Sequence, residues 1–361
     1  MTMNQTPQPA IDIQSVIRAV VDGQELTHDD ATAAMDAIMT GNVTDAQIGA
    51  LVTGLRMKGE TVDEIAGFAR AMRSHALHVD IDHDTRPLLD TCGTGGDHSN
   101  SFNISTTATF AIAAAGVRIA KHGNRAASSR CGSADLLEGL GVAVELTPDQ
   151  VAESVERVGI GFMYAPAFHP AMRFVGPARK QMGIRTIFNV LGPLTNPAGA
   201  SHQLIGVGHP DIAVKLAAVL GKLGSRHAVL VHSEEGLDEI GIMGRSEITE
   251  WDERKGEIVT YAVEPEDFGL VRGKAEDLIG GDVADNVAIT RAILSGENGP
   301  RRTVTLMNAG AGIYAADAAD SFADGIALAA EAIDSGKALA KLEQLIAVTQ
   351  EMTSRTSEVP A

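Results

Sequence analysis

The sequence predicts an α/β protein with a small N-terminal helical domain and a larger domain whose mainly parallel central sheet carries flanking helices. Three observations lead there. Residues 1–75 place apolar side chains at helical spacing and contain no strand pattern. From Leu88 the texture changes to short apolar runs that end in glycine or a polar turn and alternate with helical stretches. The length, 361 residues, suits about two domains with a large core.

The elements follow in order. Ile13, Val16, Ile17, Val20 and Val21 recur at helical spacing, and Thr44 with Gln47 and Thr61 with Glu64 fit capping boxes at the starts of two further helices. The runs PLLDTCGTGG, VRIAKHGN and HAVLVHS read as strands, separated by helical stretches such as TTATFAIAAAG and TPDQVAESVERVG. EITEW and EIVTYAV read as a β excursion, and Asp282 to Ile346 returns mostly to helix. A loose GxGxxA at Gly310, Gly312 and Ala315 reads as close helix packing. There is no internal repeat, and the polar ends, the last from 351 to 361, are expected to fray.

With 47 acidic and 29 basic residues the formal charge is −18. No stretch approaches the roughly 18 uninterrupted apolar residues of a membrane span, and MTMNQTPQPA lacks the parts of a secretory signal. A cytoplasmic protein that binds no membrane is expected. Cys92 and Cys131 are too few and too far apart for a disulfide framework and read as reduced, buried thiols. The acids are unevenly spread: none occurs from His98 to Ala134, where Arg118, Lys121, Arg125 and Arg130 lie, or from Arg157 to Pro210, where Arg173, Arg179, Lys180 and Arg185 lie. Within so negative a chain, such stretches suit a local positive cleft for a small, highly charged anion. A nucleic acid would also meet the acidic remainder, so none is expected as a partner.

Two segments could form that cleft. Cys92-Gly93-Thr94-Gly95-Gly96-Asp97 follows a strand, and Asn103-Ile104-Ser105-Thr106 opens a helix, so backbone amides and the helix start could face a phosphate. A glycine turn between strand and helix is common, and by itself this one is as compatible with a tight connection as with a phosphate site. The second segment, Lys121 to Ser133, offers three cations, an amide, three hydroxyls and two glycines, the donors that a phosphate and ribose ligand requires. Glu234-Glu235 and Asp238-Glu239, taken alone, read as a solvated acidic turn.

At these segments the chain resembles the anthranilate phosphoribosyltransferase family. GTGGD, NIST, KHGNRAASS with GSAD, HPAMR, GPARKQMGIRTIFNVLGPLTNPA and GLDE occur in the family's order, covering at least Leu88 to Ile240. The resemblance implies a nucleoside phosphorylase/phosphoribosyltransferase-like fold, with a helical domain over 1–85 joined by a later contribution from about 170–190, and an α/β catalytic domain over 86–350. It further implies a homodimer, Mg²⁺ dependence and transfer of phosphoribose from its pyrophosphate to the amine of anthranilate. Carried over by motif, the donor would meet Gly93, Gly96, Asp97, Ser101, Asn103, Ile104, Ser105 and Thr106. It would also meet Lys121, His122, Gly123, Asn124, Arg125, Ala126, Ala127, Ser128, Ser129 and Ser133. Anthranilate would meet Gly93, Asn124 and Arg179, with His122 and His169 nearby, and the metal would be held by Ser105, Asp238 and Glu239.

The residue types suit these roles. Adjacent carboxylates are hard ligands for Mg²⁺, and a guanidinium can hold a carboxylate through two parallel bonds. No covalent nucleophile is required, because the aromatic amine already carries its lone pair. The alternatives are a pyrimidine nucleoside phosphorylase, whose base-recognition motifs differ from KHGNR and from the HPAMR to LTNPA block, and a catalytically silent relative that binds nucleic acid, against which the charge argues.

Overall fold

The fold is given by a computed structural model that describes residues 11–83, 85–97, 99–126 and 130–357. Four helices come first: α1 (Ile13–Val21), α2 (His28–Met39), α3 (Asp45–Lys58) and α4 (Val62–Ser74). Then follow β1 (Leu88–Gly93), α5 (Ile104–Ala114), β2 (Arg118–Gly123), α6 (Ser133–Leu140), α7 (Pro148–Val158), β3 (Ile160–Tyr164) and the short α8 (Ala165–Phe168). After α9 (Gly176–Met182) and α10 (Phe188–Leu191) come β4 (His202–Gly206), α11 (Ala213–Lys222), β5 (His227–Ser233), β6 (Ser246–Asp252) and β7 (Glu257–Val263). The chain closes with α12 (Ala275–Leu278), α13 (Val283–Leu294), α14 (Pro300–Ala315), α15 (Phe322–Asp334) and α16 (Lys337–Ser357).

The chain divides into two compact units, one of the described residues up to Ala76 with His169–Leu191, the other of Leu77–Phe168 with the described residues from Gly192 onward. In the first, both capping boxes form: the Thr44 and Thr61 hydroxyls accept from the Gln47 and Glu64 amides, whose side chains accept in return. Glu64 does more than cap, because its buried carboxylate also accepts from the Leu26 amide at 2.9 Å and pairs with Lys58 at 2.9 Å. Gly67 of α4 would press a Cβ to 2.4 Å from the His28 carbonyl oxygen, so α2 and α4 touch backbone to backbone.

In the second unit the sheet order is β3-β2-β1-β4-β5-β6-β7; the first five are parallel and β6 and β7 add antiparallel. Its core is formed by the apolar faces of β1, β2, β4 and β5 with α5 and α14. Gly310 and Gly312 pack as expected: a Cβ there would stand 2.4 Å from Ile326 and 2.5 Å from Ile112. Cys92 and Cys131 are free thiols. Among the described residues no helix is long and apolar enough to cross a membrane.

Two expectations are corrected. Residues 77–83 go with the sheet, since Val79 and Ile81 share a buried cluster with Leu88 and Ala120. The chain also stays helical to Ser357: Met352 is fully buried, and Glu351 pairs with Arg157 at 2.7 Å.

Where the antiparallel strands join, His227 donates to Asp317 at 2.8 Å and lies 3.3 Å from Glu250, which also accepts from Tyr261 and Tyr314. Burial opposes charge on His227, but the two carboxylates outweigh it and raise its pKa. Burial likewise works against Glu250, yet the bonds from His227 and the two tyrosines bring it down to about 2. The stability His227 contributes is therefore complete below its ordinary value of 6.5 and lost as pH rises through its raised folded value. That of Glu250 is complete above 4.5 and lost as pH falls toward about 2. In thermal unfolding, the Tm gap between the parent and His227→Gln should narrow as pH climbs past 6.5; a gap constant with pH would show that His227 is neutral in the fold.

Candidate functional site

Strands β1 and β4 end side by side in glycine, with Gly93 paired to Gly206. A Cβ on Gly206 would lie 1.7 Å from the Asp238 carbonyl oxygen, and one on Gly93 would lie 2.6 Å from the Asp238 carboxylate. Only because both are missing can the segment carrying Asp238 and Glu239 cross the strand ends. The glycine turn then wraps that segment. Thr94 donates its amide to the Gly206 carbonyl at 2.8 Å, and Gly95, at φ 63°, donates to the Asp238 carboxylate at 3.0 Å. At the start of α5 the Ser105 amide donates to Glu239 at 3.1 Å, an acid placed where the free amides and the helix dipole favour it.

The other expected residues gather around this point. Asp97 accepts from the Ser99 hydroxyl at 2.6 Å, which in turn lies 3.1 Å from Ser101. The Asn103 amide donates to Asn286 at 3.0 Å and its side chain to the Cys131 carbonyl at 3.0 Å. Ile104 is buried in the core, and the hydroxyl of Thr106 is buried without a hydrogen-bond partner among the described residues. Lys121, 3% exposed, reaches from β2 to the Thr91 carbonyl, to the Thr91 hydroxyl at 3.2 Å and to the Ser105 hydroxyl at 3.4 Å. His122 is buried beside it.

Beyond Gly123 the loop turns on Asp135, whose Oδ2 accepts from the Ala126 and Gly132 amides, each at 2.8 Å. The Asn124 carbonyl accepts from the Ser133 hydroxyl at 3.2 Å and the Ala134 amide at 3.1 Å. Arg125 is engaged by Glu138 and Tyr164. Ala127, Ser128 and Ser129 lie outside the described residues. Arg179 and His169 belong to the helical unit. There the Arg179 guanidinium stands 5.7 Å from the Phe188 ring centroid, and burial lowers its pKa. Burial also drops His169 to about 4, which leaves it neutral at pH 7.

The charges at the cluster are strongly perturbed. Burial raises Asp238 to about 6, with Asp97 adding to the effect, and burial followed by the charge of Asp238 raises Glu239 to about 8. Burial pulls Lys121 down, against Asp90 and Glu239. Three acidic groups and one ammonium at a glycine turn form a place that gains from a divalent cation with an anionic ligand on it.

Sequence reasoning missed several residues here. Asp90, fully buried in β1, accepts from the His122 amide at 3.1 Å and from Asn196 at 2.7 Å. Its signal was a lone acid inside the strand LLDTCG. Asp135, which the sequence offered only as the end of GSAD, and Asn286, in no quoted string, act on backbone amides. The local positive cleft expected from the sequence draws on fewer of those cations than the count suggests: Arg118 is taken by Glu156 at 2.8 Å and Arg125 by Glu138.

Residues 14–76 match the model described as the glycosyl transferase family, helical bundle domain, and residues 85–339 match the glycosyl transferase family, a/b domain. Among similar proteins, the anthranilate phosphoribosyltransferase of Moorella thermoacetica is 54% identical over 335 residues, covering 93% of this chain and 98% of its own. That of Chloroflexus aurantiacus is 54% identical over 342 residues, covering 94% and 99%. Among solved structures, the Thermus thermophilus anthranilate phosphoribosyltransferase aligns with a TM-score of 0.87 at 44% identity, covering 93% of this chain and 99% of its own. The Saccharomyces cerevisiae enzyme in complex with phosphoribosyl pyrophosphate and Mg aligns at 0.84 and 29% identity, covering 94% and 98%.

The close approach at β4 gives a direct check. Gly206→Ala should destabilise the protein by about 2 kcal/mol or more, since the Asp238 backbone has to move to admit the methyl group. Chemical denaturation measures this, and a loss under about 0.5 kcal/mol would mean that the crossing segment is loosely seated.

Proposed function

The chain belongs to the anthranilate phosphoribosyltransferase family, and on that premise we propose that Gly93–Asp97, the start of α5 and the Lys121–Ala126 segment together hold phosphoribosyl pyrophosphate. The reaction is a pentosyl transfer in tryptophan biosynthesis: the amine of anthranilate bonds to the ribose carbon, the bond from that carbon to the pyrophosphate oxygen breaks with its pair leaving on pyrophosphate, and the nitrogen releases one proton. What carries the assignment of the site is the carboxylate pair Asp238-Glu239, anchored by the Gly95 and Ser105 amides beside the Lys121 ammonium.

The carboxylates also fit Mg²⁺. Asp238 and Glu239 are both raised by burial and by neighbouring negative charge, a strain that a divalent cation relieves, and with the Ser105 hydroxyl they form an all-oxygen donor set. When bound, the metal supplies positive charge against the diphosphate. The chain's own residues do the rest. Lys121 directs an ammonium at charge that builds on the departing group, and the Gly95 and Ser105 amides hold in place the Asp238 and Glu239 carboxylates that would bind the metal. Ser101, Asn103, Thr106 and Ser133 supply further polar contacts to the donor, and Gly96, Gly123 and the Asn124–Ala126 backbone let it approach. On the helical unit the Arg179 guanidinium is assigned to the anthranilate carboxylate, with neutral His169 in the same unit, and on the sheet unit the family motifs assign Gly93, His122 and Asn124 to anthranilate. Exposed Val21 and Met57 on the helical unit support a homodimer, and the charge of −18 supports a protein without a nucleic-acid partner; the cytoplasm suits both substrates.

Asp238→Asn combined with Glu239→Gln should remove most turnover while the protein stays folded. Loss of anthranilate fluorescence at graded Mg²⁺ follows the reaction, and near-normal rates at limiting metal would move the metal site elsewhere. Arg179→Ala should raise the anthranilate KM at least about tenfold, as for a lost charge-assisted bond, with little change in donor binding. An unaltered KM would place the carboxylate contact on another residue.

A further inference from the structure

Strands β1 and β2 part company early. Their pairing stops at Leu89 and Ile119, although β1 runs on to Gly93 against β4 and β2 runs on to Gly123 against β3. Side chains occupy the space where the ladder would continue. The Asp90 carboxylate takes the His122 amide on one oxygen at 3.1 Å and the Asn196 side-chain amide on the other at 2.7 Å. The same Asn196 nitrogen donates to the Ala120 carbonyl at 2.8 Å, and its oxygen accepts from the Ala198 amide at 2.9 Å. Asp90 is fully buried and Asn196 is 4% exposed.

Such a pair is costly to bury and needs every bond it makes, since an unpaired buried carboxylate or amide is penalised heavily. A plain continuation of the parallel ladder would have satisfied the same backbone groups without it. The gain lies in what the gap permits. With the strand ends apart, Lys121 turns back to the Thr91 carbonyl and hydroxyl and to Ser105, and the end of β2, held at the His122 amide by Asp90, leads on into Asn124. The Asp90 and Lys121 charges also offset each other in a region that water does not reach.

We propose that Asp90 and Asn196 are positioning residues for the transfer reaction, a polar wedge that parts β1 from β2 and sets the Lys121–Asn124 segment where it engages the donor. Neither touches substrate. This rests on the reading of Lys121–Asn124 as a donor-binding segment, so the experiment tests that reading separately.

Three full-length variants are compared with the parent in the presence of Mg²⁺. Asn196→Ala removes the bonds to Asp90 and Ala120. Asp90→Asn keeps the size and one acceptor for the His122 amide but sets two amide groups against each other, and Lys121→Met removes the ammonium alone. Calorimetric titration with phosphoribosyl pyrophosphate gives donor affinity per folded molecule, and circular dichroism gives the folded fraction and Tm. Both wedge variants should bind donor at least about tenfold more weakly per folded molecule, with kcat reduced and the folded fraction at the assay temperature unchanged. A second arm covers a variant that does not fold: the reciprocal pair Asp90→Asn with Asn196→Asp restores one amide-to-carboxylate bond, and it should regain at least about threefold in donor affinity over Asp90→Asn or, failing that comparison, bind within about threefold of the parent. Wedge variants with lowered Tm but parental donor affinity per folded molecule would overturn the proposal, leaving a structural role only, and so would a reciprocal pair that folds yet binds donor no better than Asp90→Asn or, where Asp90→Asn does not fold, more than about threefold more weakly than the parent. Parental donor affinity in Lys121→Met would instead sink the donor-segment reading, whatever the wedge variants do.

Discussion

Two missing side chains, at Gly93 and Gly206, decide where the rest of the site can stand. A backbone carbonyl lies where the Cβ of residue 206 would be, so the Asp238-Glu239 segment is pressed onto the strand ends as closely as a polypeptide allows. The price is the burial of acidic groups beside one another. The Gly95 and Ser105 amides and the Lys121 ammonium meet part of that cost within the protein. What they leave unmet, carboxyls raised to about 6 and about 8, is the electrostatic form of an affinity for a metal and its anionic ligand.

The charge pattern of the sequence acquires a different meaning in three dimensions. The segment from His98 to Ala134 contains no acid, yet acids from elsewhere surround it: Glu156 takes Arg118, Asp135 and Glu138 organise the loop around Arg125, and Glu239 caps α5. An acid-free stretch in sequence is thus a stretch free to receive acids in space. Arg118 and Arg125 are engaged by those acids, and Lys121 is brought to the carboxylate cluster.

Local features were the legible ones. The capping boxes at Thr44 and Thr61 depend on neighbours three residues away, where residue type and spacing are sufficient information, and the Gly310/Gly312 packing was legible from the glycines alone, without its partners Ile326 and Ile112. What escaped depends on partners far along the chain. Asp90 meets Asn196 across 106 positions, and Asn103 meets Asn286 across 183, distances at which neither residue marks the other. The same reason explains Val79 and Ile81, whose apolar partners Leu88 and Ala120 belong to strands, and Met352, whose burial depends on a core assembled from residues 79 to 200. The site's strongest strings were legible as a family pattern, while the reasons for the spacing within them became clear only with the strands in place.

The helical unit is assembled from two separated pieces of chain, the described residues up to Ala76 and His169–Leu191. During synthesis its first four helices therefore emerge long before α9 and α10, and at about 5–20 residues per second the wait is several seconds. In that interval the face of α3 that later meets Met182 through Gly49 and Thr53 has no native cover. A chain made only as far as the first strands of the sheet would carry that face uncovered, and it is there that a chaperone would have most to protect.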